Sequence, residues 1–485
     1  MARRRATVIG SGPNGLAAAV ALARADFDVV VVEAHEGIGG GARTAELTLP
    51  GFRHDVCSAV HPAAFTSPFF AAFGMREKIG WIVPDASYAQ PLDGGRAAVA
   101  WRDIRRTADA LGPDARAWKA VLRPLARRIA GVSDFTGNQM LRIPRDPIVA
   151  ARFGLRALEL GSALGRRTFR TEEAQALLTG VMAHLTTVIP SVGAAAGGLL
   201  LAAQAHADGW GFPVGGAQAV PDALADDLRA HGGVIETGRR IDDLRDLDWG
   251  DPARGDVLLL DAPPRLALTL PGVPERWARA IRSFRYGPGA AKVDFALDGP
   301  VPWENEDVRR TPTVHVGGTR PEMEASERAV AEGRVSERPY VLTVQPSVLD
   351  PTRAPKGKHV LWSYIHVPNG STFDATETIT RQIERFAPGF RDRVLASHSA
   401  TATDLETYNP SAVGGDFAGG SVAVDQLLAR PVLSPAPWRT PVRGVYLASQ
   451  STPPGPGVHG MAGWFAARLA IADATGERAE LEDLF

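Results

Sequence analysis

The 485-residue sequence contains a single cysteine, Cys57. It can form no intramolecular disulfide, and we expect neither a cysteine-based metal site nor disulfide redox chemistry. No other metal site is predicted. The formal net charge is only −1, from 53 basic and 54 acidic residues, so the overall charge gives no sign of a nucleic-acid partner.

Charged side chains are absent from Ala174 to Ala207. A run of this length raises the question of a membrane span, but Pro190 and several glycines interrupt it. We therefore expect two buried helices joined at Pro190. The basic segment Met1–Arg5 runs directly into an apolar strand without a signal-peptide core, which predicts a cytoplasmic protein. Peripheral membrane association stays open, and the oligomeric state is unknown.

The N-terminal segment has the pattern of a strand, a glycine turn, a helix and a second strand. The strands are predicted at Ala6–Ile9 and Asp28–Glu33, and the helix at Leu16–Ala25. Strands that alternate with helices through short connections are typical of a parallel, doubly wound sheet.

The glycine turn Gly10–Gly15 has the spacing of a dinucleotide-binding site. Its first glycine allows a tight turn, the second lets the backbone approach a diphosphate, and the third lets helix and strand pack closely. The helix N-terminus then offers free N–H groups to the phosphates. Glu33 ends the second strand, where a carboxylate that binds ribose hydroxyls is expected.

Later segments return to this first domain. Strand patterns occur at Val234–Glu236, Asp256–Asp261 and Gly444–Ala448, and helical patterns at Ala219–His231 and Met461–Thr475. Other β-rich runs, between about residues 282 and 365, suit a sheet in a second domain.

We therefore predict an α/β fold with two interleaved domains. A doubly wound, Rossmann-like dinucleotide-binding domain takes residues 1–73, 205–281 and 400–485. An α+β substrate domain with a mixed β-sheet takes residues 74–204 and 282–399.

The segment Glu33–Arg43 is dense in glycine and ends in an arginine. It resembles the extension found in FAD enzymes of the amine oxidase and phytoene desaturase superfamily. In that superfamily the loop and its arginine run along the FAD diphosphate and approach the flavin. The resemblance implies that the cofactor is FAD rather than NAD.

Four further segments extend the resemblance to phytoene desaturase-like oxidoreductases. Phe212–Leu224 is similar to their proline-glycine-glycine helix start, and Gly232–Ile241 to the segment whose backbone meets the adenine. Asn409–Gly420 resembles a motif of the branch that includes the pyridine nucleotide-disulfide oxidoreductase domain-containing protein 2. Gly444–Met461 resembles the C-terminal FAD motif, except that neutral Ser449-Gln450 replaces the Gly-Asp pair of many relatives.

The glycine turn and the resemblance together predict the residues that bind FAD. They are Gly10, Gly12, Pro13, Asn14, Gly15, Glu33, Ala34, Gly40, Gly41, Ala42, Arg43, Ile241, Ser449, Gly457, Val458, His459, Gly460 and Met461.

Four residues are candidates for catalysis. His61 lies in a segment that is near the flavin in relatives, and a histidine there can move protons at neutral pH. His459 belongs to the flavin motif itself, with a packing role as the alternative. Lys292 is similar to the lysine that amine oxidases hold near flavin N5, although most strand lysines are solvated edges. Tyr408 is predicted to cap the cavity.

The predicted function is an FAD-dependent oxidoreductase, a dehydrogenase, desaturase or oxidase, with hydride transfer to flavin N5. The apolar stretches Ala63–Phe73 and Ala174–Ala207 favour an apolar or amphipathic small-molecule substrate, although each can be ordinary core. One alternative is a flavin-dependent, non-redox isomerase or saturase of a polyene. Another is a prenyl-binding protein like the Rab GDP-dissociation inhibitors, against which the intact glycine turn argues.

Overall fold

The computed structural model describes residues 3–485. The strands are β1 (Arg5–Ile9), β2 (Asp28–Val32), β3 (Thr44–Ala45), β4 (His54–Asp55), β5 (Trp81–Ile82), β6 (Ala86–Pro91), β7 (Ala97–Trp101), β8 (Phe212–Pro213), β9 (Val234–Glu236), β10 (Val257–Leu260), β11 (Gly289–Leu297), β12 (Thr313–Val316), β13 (Val341–Val344), β14 (His359–Val367), β15 (Val394–Ala400) and β16 (Val445–Leu447). The helices are α1 (Pro13–Arg24), α2 (Pro68–Phe73), α3 (Met75–Lys78), α4 (Ile104–Ala110), α5 (Ala115–Ala126), α6 (Ile129–Thr136), α7 (Pro147–Leu160), α8 (Glu172–Met182), α9 (Val192–Ala207), α10 (Ala219–Ala230), α11 (Glu275–Arg282), α12 (Glu306–Arg309), α13 (Arg320–Ala331), α14 (Thr376–Glu384), α15 (Ala402–Tyr408), α16 (Val424–Leu428), α17 (Met461–Thr475) and α18 (Leu481–Leu484).

Five strands form a parallel sheet in the order β16-β10-β1-β2-β9. Helices α1, α10 and α17 cover one face and pack on side chains such as Val8 and Leu259. The segment that follows β9 covers the other face and packs on side chains such as Ile9 and Leu260. Burial on both faces explains why these strands read as continuous apolar runs. The α/β fold predicted from the βαβ pattern is confirmed.

Helix α1 begins at Pro13, earlier than the predicted Leu16. Proline suits the first helical position because its fixed φ angle is already helical and its missing N–H leaves no helix bond unmade. The helix therefore starts inside the glycine turn.

A second sheet of seven strands has the order β15-β11-β14-β13-β12-β6-β7. Its pairs are antiparallel except for β12 and β6, which run parallel, so the predicted mixed sheet is confirmed. The long strands β11 and β14 pair over their full length, from Gly289 with Val367 to Leu297 with His359. Helices α5, α7, α8 and α9 form a layer next to this sheet.

The uncharged run Ala174–Ala207 folds as predicted into two helices, α8 and α9, on either side of Pro190. Within residues 3–485, none of the helices combines the length and apolar character needed to cross a bilayer. The predicted domain boundaries at 204/205, 281/282 and 399/400 fall inside α9, α11 and β15. Helix α9 ends at Ala207, where the C-cap residue Asp208 and Gly209, with a φ of +83°, supply the stop signal. The extent of each domain stays a prediction.

A buried ion pair links distant parts of the chain. Asp55, at the end of β4, accepts a hydrogen bond of 2.7 Å from Arg353, and both side chains are 1% exposed. The carboxylate also accepts the Ala217 N–H and the Thr44 hydroxyl, each at 2.8 Å. Asp55 thereby ties the strand after the glycine-rich loop to the segment that leads into α10.

We expect Arg353→Met to lower the free energy of unfolding by about 3–5 kcal/mol, because it leaves the Asp55 carboxylate buried without its cation. The matched control is Arg282→Met, which breaks the exposed pair with Glu275 and is expected to cost less than about 1 kcal/mol. Chemical denaturation of both variants measures the difference. Equal losses would show that burial does not set the strength of the Asp55–Arg353 pair.

Candidate functional site

The carboxyl edge of the parallel sheet gathers residues from distant parts of the sequence. Gly10 follows β1, Glu33 follows β2 and Asp261 follows β10. All three line one cavity of about 710 Å³, which extends to the seven-stranded sheet. In open parallel sheets, ligands bind at this edge.

The glycine turn has room for backbone alone. Gly10 has a φ of +93°, and a Cβ atom there would lie 2.4 Å from the Asp261 carbonyl oxygen. A Cβ atom on Gly15 would lie 2.1 Å from the Gly10 carbonyl oxygen. Pro13 begins α1 without an N–H group and Asp261 accepts the Gly15 N–H, so the Asn14 N–H is the group that the first turn can offer an anion.

Glu33 is buried and bonded to the turn. Its Oε2 atom accepts the Ser11 N–H at 2.8 Å and also bonds to the Ser11 hydroxyl. Its Oε1 atom accepts the His35 N–H at 2.8 Å. The carboxylate thus orders the turn from the end of β2, and the ribose contact predicted for it stays a prediction.

The hydrogen bonds of Arg43 show whether the site suits a diphosphate. Its Nε atom donates to the Gly40 carbonyl at 2.9 Å, and its guanidinium lies 4.4 Å from the ring centre of Tyr408. Its Nη1 atom is buried and has no hydrogen-bond partner among residues 3–485, and the Asn14 Oδ1 atom shares this condition. Because buried polar atoms are normally bonded, a free arginine donor in the cavity beside the glycine turn fits an anionic cofactor such as FAD.

Most of the residues predicted to bind FAD line this cavity. They are Gly10, Gly12, Pro13, Asn14, Glu33, Ala34, Gly40, Gly41, Ala42, Arg43, Ile241, Ser449, Gly457 and Val458. Gly15, His459, Gly460 and Met461 are not among the residues that line it. Their contacts with the cofactor stay predictions.

Asp261 is a cavity residue that was not among those predicted from the sequence. Its Oδ2 atom accepts the Gly15 N–H at 2.9 Å, and the side chain faces the cavity under the glycine turn. Burial raises the pKa of this carboxyl to about 7, and the Glu33 carboxylate pushes the pKa in the same direction. The available signal was its position directly after a parallel strand, at the edge where ligands bind.

His61 faces the cavity, with both ring nitrogens buried and without partners in the part of the chain that the structure describes. Burial lowers its pKa to about 4, so the ring is neutral near pH 7. A neutral imidazole with two free nitrogens can accept a proton or orient a substrate.

Lys292 also lines the cavity and is no solvated edge, since β11 lies between β15 and β14 and the residue is 3% exposed. Its ammonium pairs with the Asp294 carboxylate. Burial raises the pKa of Asp294 to about 6, against the opposing effect of Lys292. His54 Nδ1 lies 3.6 Å from Asp294 Oδ1, which places a third titratable group in this buried cluster.

His459 and Tyr408 lie behind the cavity wall rather than in it. The His459 Nδ1 atom accepts the Met461 N–H at 3.0 Å, and its Nε2 atom lies 3.2 Å from the Gly455 carbonyl. Tyr408 packs under Arg43 instead of capping the cavity. Both residues shape the loops that face the cofactor site.

The far part of the cavity is an apolar chamber. Helix α9 and the seven-stranded sheet supply most of its walls. Its lining side chains are Leu185, Leu200, Leu201, Trp210, Leu342, Val344, Trp362, Tyr364, Leu405 and Phe417. The acidic residues that line the cavity, Glu33, Asp242 and Asp261, do not belong to this group.

One polar pair borders the chamber. His184 lines the cavity, and its Nε2 atom lies 2.7 Å from Nε2 of the buried His315. Burial lowers the pKa of His184 to about 3 and that of His315 well below its ordinary value. Both rings are therefore neutral, with one nitrogen as donor and the other as acceptor.

Comparisons with known proteins place this site among flavoproteins. A family model described as flavin containing amine oxidoreductase matches residues 14–470. The chain is 27% identical to pyridine nucleotide-disulfide oxidoreductase domain-containing protein 2 of Rattus norvegicus, over 96% of this chain and 93% of that protein. It is 26% identical to phytoene dehydrogenase of Streptomyces griseus, over 80% of this chain and 77% of that protein.

A solved structure of putrescine oxidase bound to putrescine has a similar fold. The TM-score is 0.60 at 17% identity, and the match covers 98% of this chain and 100% of that chain. At this identity the likeness concerns the fold alone.

We expect Arg43→Met to weaken FAD binding about 10–100-fold, because one charge-assisted hydrogen bond contributes roughly 1.5–3 kcal/mol. Titration of the apoprotein with FAD, followed by flavin fluorescence, measures the dissociation constant. The control is Arg53→Met, since Arg53 does not line the cavity. Unchanged affinity in Arg43→Met would place the diphosphate elsewhere.

We expect the Asp261 carboxyl to make the affinity of the protein for FAD depend on pH. The diphosphate is an anion, so it favours the protonated carboxyl and raises the pKa of Asp261 further when FAD binds. Affinity is therefore fully present below the pKa of the free protein, about 7, and falls as pH rises above it. We expect Asp261→Asn, which keeps an acceptor for the Gly15 N–H, to bind FAD more tightly at pH 8 and with a flatter pH dependence. If the affinity for FAD changes with pH in the same way for both proteins from pH 6 to 8, Asp261 does not cause the pH dependence.

Proposed function

Because the chain belongs to the family of flavin-containing amine oxidoreductases and is an FAD-dependent oxidoreductase, we propose that it oxidises an uncharged, apolar or amphipathic organic substrate. The family confirms the predicted cofactor, FAD. The observation that carries the proposal is the apolar chamber, which belongs to the same cavity as the glycine turn and Arg43. The fold also argues against a flavin-free prenyl-binding protein, because the residues around the turn fit a dinucleotide.

The chamber favours a substrate without positive charge. A polyamine would need carboxylates to replace its hydration, and the chamber side chains supply none. Leu200, Leu201 and Leu342 offer apolar surface, while Trp362 and Tyr364 offer ring faces. An elongated apolar molecule is therefore held by burial, and the neutral His184 can bond one polar group of an amphipathic substrate.

FAD, when bound, supplies the acceptor for a hydride from the substrate. The protein then has to position the substrate, exclude water and take up the proton that the substrate also loses. His61 suits the last task, because its ring is neutral and both nitrogens are free. Lys292 places a buried positive charge at the cavity wall, and Asp294 keeps it oriented.

The predicted class of reaction is tested by anaerobic reduction of the FAD-loaded protein. We expect uncharged long-chain alcohols or polyenes to bleach the visible flavin band, and putrescine to leave it unchanged. Faster reduction by putrescine would contradict the proposed substrate class. Conversion of a compound without flavin reduction would favour the non-redox isomerase instead.

Leu201→Gln tests the chamber itself. Burying a leucine contributes about 1.5–3 kcal/mol, and Leu201 is half-buried, so we expect kcat/KM for an apolar substrate to fall roughly tenfold. FAD content should not change, because Leu201 lies on α9 in the chamber wall. The control is Leu395→Gln on an exposed position of β15. Equal kinetics of the two variants would remove the chamber from the substrate site.

A further inference from the structure

Exposed apolar side chains are concentrated on one short stretch of the chain. Fourteen large apolar residues are exposed among residues 3–485, and six of them lie between residues 141 and 164. They are Leu141, Ile143, Ile148, Leu155, Leu158 and Leu164. Single exposed apolar residues are common on proteins, but a cluster of this kind marks an interaction surface.

Helix α7 is apolar on two sides. Val149, Phe153 and Ala157 are buried in the core that also contains α9. Ile148 and Leu155 lie two turns apart on another side, and each is 68% exposed. The core face is enough to hold the helix in place, so the outer apolar residues have no role in the fold of this chain.

The same stretch is rich in arginine. Residues 141–167 contain six arginines and two carboxylates, Asp146 and Glu159. Asp146 caps α7 and pairs with Arg128, and Glu159 pairs with Arg156. Arg152 and Arg167 are exposed and make no ion pair with the residues that the structure describes. The surface thus combines apolar side chains with free positive charge.

We propose that residues 141–167 form a docking surface for an anionic lipid bilayer. Exposed leucine and isoleucine side chains enter the boundary between headgroups and acyl chains, while arginines bond the phosphates of anionic lipids. Charge decides against a second copy of this chain, because a two-fold interface would bring the same arginines face to face with few carboxylates to balance them. Absence of binding to anionic vesicles would leave an acidic protein as the partner of this surface and would overturn the proposal.

The docking surface lies near the chamber, which would bring the enzyme close to an apolar substrate in the bilayer. This step rests on the proposed function. Helix α7 packs on α9, and α9 supplies Leu200 and Leu201 to the chamber. Helices α9 and α7 would therefore lie between the chamber and the bilayer. An apolar substrate dissolves in the bilayer, so docking would bring the enzyme to it.

The test uses the FAD-loaded, full-length protein and sedimentation with vesicles. We expect binding to phosphatidylcholine vesicles that contain phosphatidylglycerol, weaker binding to pure phosphatidylcholine, and loss of the difference at high salt. Ile148→Ser with Leu155→Ser should weaken binding to both vesicles about tenfold or more. Arg152→Glu with Arg167→Glu should weaken binding only to the anionic vesicles.

The matched control is Leu349→Ser with Leu395→Ser, which removes two exposed leucines outside residues 141–167. Its binding should equal that of the unchanged protein, and FAD content checks the fold of every variant. Absence of vesicle binding, or equal binding by the Ile148/Leu155 variant, would overturn the proposal. The proposal would also be overturned if the protein is a dimer in solution and the Ile148/Leu155 variant is a monomer. The surface would then be an interface between copies of this chain.

Failure of the proposed function and failure of the docking proposal give different experimental results. If the substrate class is wrong, apolar compounds fail to reduce the flavin, but vesicle binding persists. If docking is wrong, vesicle binding is absent, but detergent-dispersed substrate still reduces the flavin at the normal rate.

Discussion

The site depends on how closely α1 approaches its neighbours. A Cβ atom on Gly10 or Gly15 would overlap backbone atoms at the end of β10 or within the turn, and one on Gly463 of α17 would lie 1.8 Å from the Asn14 carbonyl oxygen. Glycine at these positions lets the helix N-terminus reach the carboxyl edge of the sheet, where its N–H groups face the cavity. The cofactor site is thus a consequence of packing that tolerates no side chains.

Burial then sets the charge of the groups around the cavity. His61 and His184 are neutral because desolvation disfavours their charged forms, and Asp261 holds its proton to near neutral pH for the same reason. The buried lysine is an exception because Asp294 pairs with it. The cavity consequently presents neutral histidines at His61 and His184, while its buried positive charges lie at Lys292 and Arg43.

Helix α9 connects three features of the molecule. Its small residues allow close packing, as Gly198 shows against the Met182 backbone and side chain. One side of α9 lines the chamber and another packs on α7, the helix whose outer residues belong to the docking surface. Two packed helices, α9 and α7, therefore separate the proposed substrate site from the proposed bilayer.

The sequence by itself determined the fold class and most of the cavity lining near the glycine turn, because these depend on local spacing: Gly10, Gly12 and Gly15 must be glycine, and Arg43 ends the glycine-rich loop after Glu33. The cofactor, FAD, came from the resemblance of two segments to a family of flavoproteins. Only the tertiary structure decided which distant side chains join them. Asp261 reaches the turn through strand pairing, and Lys292 is buried because β11 is an inner strand. Tyr408 was predicted to cap the cavity, and His459 to lie in the flavin motif with a packing role as the alternative. Both rings pack behind the wall, since a motif specifies the path of the backbone and the surrounding packing specifies where a side chain points.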